Sequence, residues 1–126
     1  MTFQLKRLLA FMPGSLLVEF SRIEIEREDN DRLTLDSDGR QIVFDKRLQL
    51  VSHAGKPVAS FSGLDSIEIT YFDNGRNQWW TLCLMLQGRR KLAIGRSADG
   101  TEVSIAGAHI ATITGKPVHA FRGFLF

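Results

Sequence analysis

Apolar and polar residues alternate along most of the chain from residue 16 to residue 95, in short runs separated by turn signals about every ten residues. Ile23 and Ile25, for example, alternate with Glu24 and with further charged residues, so that one face of the predicted strand is apolar and the other is exposed to solvent. This pattern predicts about seven short antiparallel strands that form a sandwich or a barrel. Residues 48–50 are predicted to belong to one of these strands.

The segment 79–86 is the most apolar part of the chain, because both of its alternating sets of residues are uncharged. A strand that is apolar on both faces is usually covered on both faces. One set, made up of Trp80, Leu82, Leu84 and Leu86, is predicted to face the core. The helix described next is predicted to pack on the opposite set, made up of Trp79, Thr81, Cys83 and Met85.

The hydrophobic period changes at residues 99–114, where one helical stripe replaces the alternation. Asp99 is a good N-cap, and Glu102 stands three residues later, as in a capping box. Gly107 allows a close approach to the sheet, and Gly115 ends the helix in the left-handed conformation. The stripe consists of Val103, Ala106, Ile110 and Ile113.

Both ends of the chain lie outside this pattern. Residues 1–15, including a short amphipathic stretch with Lys6 and Arg7, and the apolar tail 119–126 are predicted to be peripheral to a core at 16–118. The tail has two alternatives: it adds a strand, or it packs on a partner.

Composition fits one ordinary domain spanning 1–126, with 44% apolar and 24% charged residues. A formal net charge of +2 is too small to indicate a nucleic-acid partner. The chain has one cysteine, Cys83, so no intrachain disulfide can form, and no apolar run is long enough to span a bilayer. These features favour a cytoplasmic protein.

The strands and the closing helix together resemble the pleckstrin-homology-like (PH-like) fold, and more narrowly the PH-like domains of uncharacterised bacterial proteins. The segments that carry the resemblance are 40–47, 61–67 and the helix end at 114–118. The resemblance implies a mostly β (α+β) fold, with a bent antiparallel sheet that forms a partly open barrel capped by the C-terminal helix. It also implies binding and scaffolding rather than catalysis.

Basic residues beside two predicted turns are the candidate ligand-binding residues, since basic hairpin loops of PH folds can bind phosphoinositide head groups. They are Lys46, Arg47, Arg89, Arg90 and Lys91. The first hairpin, at 28–31, is acidic and would repel a phosphate.

Other reactive residues have simpler interpretations. His53, His109 and His119 are too widely spaced to predict a metal site. Cys83 is predicted to be a small buried hydrophobe, and Asp38 with Gly39 is typical of a tight turn. Neither a catalytic group nor a cofactor is predicted.

Three functions therefore remain open. The first is a non-enzymatic interaction or scaffold module, with a protein partner or self-association. The second is a peripheral module that binds anionic lipid weakly. The third is a small-ligand carrier or enzyme with a site inside the barrel.

Overall fold

The computed structural model describes residues 22–123, which form nine strands, one α-helix and one short 3-10 turn. The prediction of a mostly β fold with one C-terminal helix is confirmed. Eight strands precede the helix, instead of about seven, and the tail supplies the ninth. The elements are β1 (Ile23–Glu28), β2 (Arg32–Ser37), β3 (Arg40–Asp45), β4 (Leu50–His53), β5 (Lys56–Ser60), the 3-10 turn (Phe61–Gly63), β6 (Leu64–Asp73), β7 (Gln78–Leu86), β8 (Arg90–Ser97), α1 (Gly100–Thr114) and β9 (Val118–Arg122).

The strands form two separate sheets and not a closed barrel. The first sheet has the order β1-β2-β3-β4-β5, and the second has the order β8-β7-β6-β9. All pairs are antiparallel except β6 with β9, which is parallel because α1 carries the chain back across the sheet. Pro57 lies in β5 at an edge of the first sheet, which confirms the edge predicted for it.

The core lies between the two sheets and beneath the helix. It is made from alternate residues of both sheets together with one face of α1, and Leu35, Phe44, Leu84 and Ile110 are all fully buried. Leu50 is half-buried in β4, whereas Leu48 lies in the preceding turn with 67% of its surface exposed. The strand predicted at 48–50 therefore begins two residues later.

The helix packs on the core-facing side of the second sheet, and the prediction that it covers the opposite side is wrong. A Cβ atom added at Gly107 would lie 3.0 Å from Ile69 Cδ1 and 3.7 Å from Leu82 Cδ1. Ile69 and Leu82 belong to the core-facing set, so α1 lies over that set. The two-residue period of a strand assigns its residues to two faces, but it does not predict which face a helix will contact.

The ends of α1 follow the sequence, with one difference. The Asp99 carboxylate accepts from the N–H groups of Thr101 (2.9 Å) and Glu102 (3.4 Å), and Gly115 adopts a φ of 73°, as predicted. The Glu102 carboxylate does not complete a capping box; it accepts instead from the N–H of Ile23. This contact ties the first turn of the helix to β1.

The tail forms β9 at residues 118–122, which selects the first of its two predicted alternatives. β9 pairs with β6 from Ile67 opposite Val118 to Tyr71 opposite Arg122. The predictions for residues 1–15 and for the last residues of the tail lie outside the described residues.

Candidate functional site

The two predicted basic turns lie on either side of the 3-10 turn. The Phe61 N–H donates to the Gln49 carbonyl at 2.8 Å, which anchors the β3–β4 turn that carries Lys46 and Arg47. The Gln87 N–H donates to the Gly63 carbonyl at 3.0 Å, which anchors the β7–β8 turn. The two turns are therefore hydrogen-bonded to opposite ends of the same three-residue segment, Phe61–Gly63.

We call this surface the basic end. It consists of Lys46, Arg47, Arg89, Arg90 and Lys91 around the 3-10 turn, and the side chains of all five are exposed. The structure therefore brings the predicted ligand-binding residues of both turns to one end of the molecule. The β2–β3 and β4–β5 turns lie at the other ends of their strands, and the Ala54 N–H donates to the Gln41 carbonyl there.

Arg89 occupies a position where a bulky side chain is unfavourable. Its φ is +60° and that of Gly88 is +79°, and both residues belong to the three-residue turn 87–89 between the paired residues Leu86 and Arg90. Glycine or asparagine is preferred at such positions, and a non-glycine residue there costs about 1 kcal/mol. The chain therefore keeps a cation at the tip of the turn in spite of a local conformational cost.

The cations of the β7–β8 turn differ in their partners. Lys91 Nζ lies 3.7 Å from Glu68 Oε1, on the outer face of the second sheet. Among residues 22–123, neither Arg89 nor Arg90 has a carboxylate within ion-pair distance. Arg89 and Arg90 are thus available to an anionic ligand.

The β3–β4 turn has more acidic surroundings. Its neighbour is the β1–β2 turn, and the two border an open hollow of about 370 Å³. Arg32 Nη2 lies 3.1 Å from Asp45 Oδ2 within this hollow. The Leu48 N–H and then Arg32 hold the pKa of Asp45 below its ordinary value. The hollow is lined by Arg27, Asp29, Asn30, Asp31, Arg32, Asp45 and Arg47.

Leu48 is the residue of this end that the alternation of apolar and polar residues did not indicate. It follows Lys46 and Arg47 directly, and its side chain is 67% exposed at the turn. Because Leu48 has the same parity as Leu50, the alternation placed it in a strand. The alternation gives no sign of this, because a turn residue with the parity of the following strand fits the strand period equally well.

The remaining candidate residues lie apart from the basic end. His53 ends β4, His119 lies in β9, and the His109 ring contacts the Glu28 carboxylate. Within 22–123, no group of three potential metal ligands occurs together. Asp38 takes the first position of the predicted tight turn, with a φ of +52°.

Cys83 is half-buried on the outer face of β7. Burial raises the pKa of the Cys83 thiol, and Glu68 acts in the same direction, while Lys91 opposes them. A raised pKa leaves less thiolate at neutral pH, so the thiol is a poor nucleophile there.

No helix in the described part of the chain has the length and apolar character of a membrane span. Comparison with protein-family models, with curated proteins and with solved structures gives no match to this chain.

Proposed function

We propose that this chain is a non-enzymatic, PH-like binding module that docks its basic end on an anionic membrane surface. The observation that carries the proposal is the exposed Leu48 beside two cations, with Arg89 and Arg90 across the 3-10 turn. Cations are attracted by anionic lipid, and an apolar tip gains free energy by entering the interface. The expected location is the cytoplasmic side of a membrane.

A membrane explains Leu48 better than a small soluble anion does. A small soluble anion would be bound by the cations alone, and an exposed leucine would add nothing to its affinity. The acidic β1–β2 turn does repel anions, but it borders Arg47 rather than the β7–β8 turn. Lipid contact is therefore assigned mainly to Leu48, Arg89 and Arg90.

The fold supports the PH-like assignment through the order of its elements. Antiparallel strands in two sheets precede one helix, and that helix contacts both sheets. An interior ligand is the weaker alternative, because side chains such as Phe44 and Leu84 occupy the space between the sheets.

Co-sedimentation with vesicles tests the proposal. The full chain is expected to bind vesicles that contain phosphatidylserine at low salt, and not vesicles of phosphatidylcholine alone. Each cation near the surface contributes ~1 kcal/mol, so the Arg89→Gly/Arg90→Gln variant is expected to bind roughly thirtyfold more weakly. The glycine also relieves the positive φ of Arg89, so the fold is retained.

The matched control is Lys56→Gln compared with Arg90→Gln. Both residues begin a strand directly after two residues of positive φ, but Lys56 lies at the opposite end of β5 from the 3-10 turn. Arg90→Gln is expected to weaken binding about fivefold and Lys56→Gln less than twofold. If the wild-type chain does not bind anionic vesicles, or if Arg90→Gln and Lys56→Gln weaken vesicle binding by the same factor, the proposed function is wrong.

A further inference from the structure

Among residues 22–123, one edge of β9 has no neighbouring strand, and this free edge differs from the other three sheet edges. Sheet edges are normally protected from pairing by bulges, prolines and charged residues. β1, β5 and β8 each have a register irregularity in their pairing with the neighbouring strand, and β5 also contains Pro57. β9 pairs with β6 without irregularity over its whole length and contains no proline, and its one cation, Arg122, stands at its last position.

The hydrogen bonds to β6 determine which groups of β9 point outward. The Ile67 N–H donates to the Pro117 carbonyl at 2.9 Å, and the Gly123 N–H donates to the Tyr71 carbonyl at 2.7 Å. In a parallel ladder of this register, alternate residues of β9 face β6. The N–H and carbonyl groups of Val118, Ala120 and Arg122 therefore point to the free edge.

We propose that this edge pairs with the β9 edge of a second copy of the chain, antiparallel about a two-fold axis at Ala120. Ala120 then faces its own counterpart, and Val118 faces Arg122. All three residues form hydrogen-bonded pairs, each of which exchanges two N–H···O bonds. A two-fold axis at either neighbouring residue would use only two such pairs.

The side chains also fit a second copy. No like charges face each other in this register, because the Arg122 position lies opposite Val118. His119 lies opposite Phe121, which is 51% exposed, and both rings are on the outer face. Val118 and Ala120 are small, so they allow close approach of the two strands. Pairing would join the two four-stranded sheets into one continuous sheet, with a self-complementary interface.

Sedimentation velocity of the full chain over a range of concentrations tests this pairing without lipid. The mass is expected to rise from 14.2 kDa towards twice that value as the concentration increases. Ala120→Pro removes the outward N–H and leaves the bonds to β6 intact, because the Ala120 N–H does not face β6. It is expected to raise the dissociation constant of the dimer about tenfold or more. Ala120→Val keeps the N–H and serves as the control, with no comparable loss.

A charge exchange at the axis tests the register itself. Ala120→Glu and Ala120→Lys each place like charges opposite each other and are expected to remain monomeric, while an equimolar mixture dimerises. Circular dichroism is the measurement that checks whether each variant is folded. A strict monomer at every wild-type concentration, a dimer unchanged by Ala120→Pro, or a mixture that stays monomeric overturns the proposal. Failure of vesicle binding would leave it intact, since no step depends on lipid.

Discussion

Neither face of β7 carries a charged residue, yet the two faces have different surroundings in the structure. Leu82 and Leu84, on the core side, are fully buried beneath α1 and the first sheet, whereas Cys83 and Met85, on the outer side, are half-buried. The core face packs against other apolar side chains, and the outer face carries Cys83 beside the Lys91–Glu68 ion pair. Apolar character alone therefore does not show which face of a strand belongs to the core.

The largest expected effect comes from truncating the core face. Leu84→Ala removes buried methyl groups and leaves a cavity, so it is expected to lower the free energy of unfolding by about 2–5 kcal/mol. Cys83→Ala, one residue away on the outer face, is expected to lower it by at most about 1 kcal/mol. Urea denaturation measures both values. Equal losses would mean that the two faces are equally part of the core.

Local sequence signals predicted those features of the fold that local chemistry determines. Asp99 and Gly115 define the two ends of α1 because a cap acceptor and a left-handed glycine act within one turn of the helix. Pro57 indicated an edge because it lacks an N–H for the ladder. Gly107 indicated a close approach, and the helix does lie against Ile69 at that point.

Long-range features were beyond the same signals. The side of β7 that α1 covers depends on the path of the chain after β8, and that path is not encoded in the alternation of β7. The Glu102 carboxylate accepts from the N–H of Ile23 in β1, and not from the N–H of Asp99 as a capping box requires. Leu48 satisfies the strand period although it lies in a turn, so its exposure became visible only when the register of β4 was known.

The site shows the same division. The charge pattern identified the basic residues of the β3–β4 and β7–β8 turns, because adjacent cations are conspicuous in sequence. Their arrangement around one 3-10 turn depends on hydrogen bonds from Phe61 and Gln87, which connect residues far apart in the chain. No sequence period predicts such contacts.

A smaller effect is expected from enlarging the helix at its contact with the core face. Gly107 lies against Ile69, so the branched side chain of Gly107→Val would overpack this contact and lower the free energy of unfolding by about 1–3 kcal/mol. Ala108→Val places the same side chain on the exposed side of α1, where it costs at most about 0.7 kcal/mol in helix propensity. Thermal and urea denaturation compare the two variants. A Gly107→Val variant no less stable than Ala108→Val would contradict the packing of α1 on this face.

The smallest effect concerns the outer face and is best measured as a rate of thiol modification. Because burial and Glu68 raise the pKa of Cys83 while Lys91 lowers it, Glu68→Gln is expected to speed the reaction with an aromatic disulfide reagent. Lys91→Gln is expected to slow it, each by about twofold to tenfold near pH 8. The thiol also makes stability depend on pH: its contribution is fully present below the ordinary pKa of 9.0 and is lost as the pH rises through the higher pKa of the folded state.

The unfolded chain provides the control for this experiment, since in concentrated urea the wild-type protein and both variants should react at nearly the same rate. Opposite changes in the folded state would then come from the electrostatic surroundings of Cys83. If both substitutions changed the rate in the same direction, altered access to the thiol would explain the result instead, and the outer face of β7 would not have the charged surroundings that distinguish it from the core face.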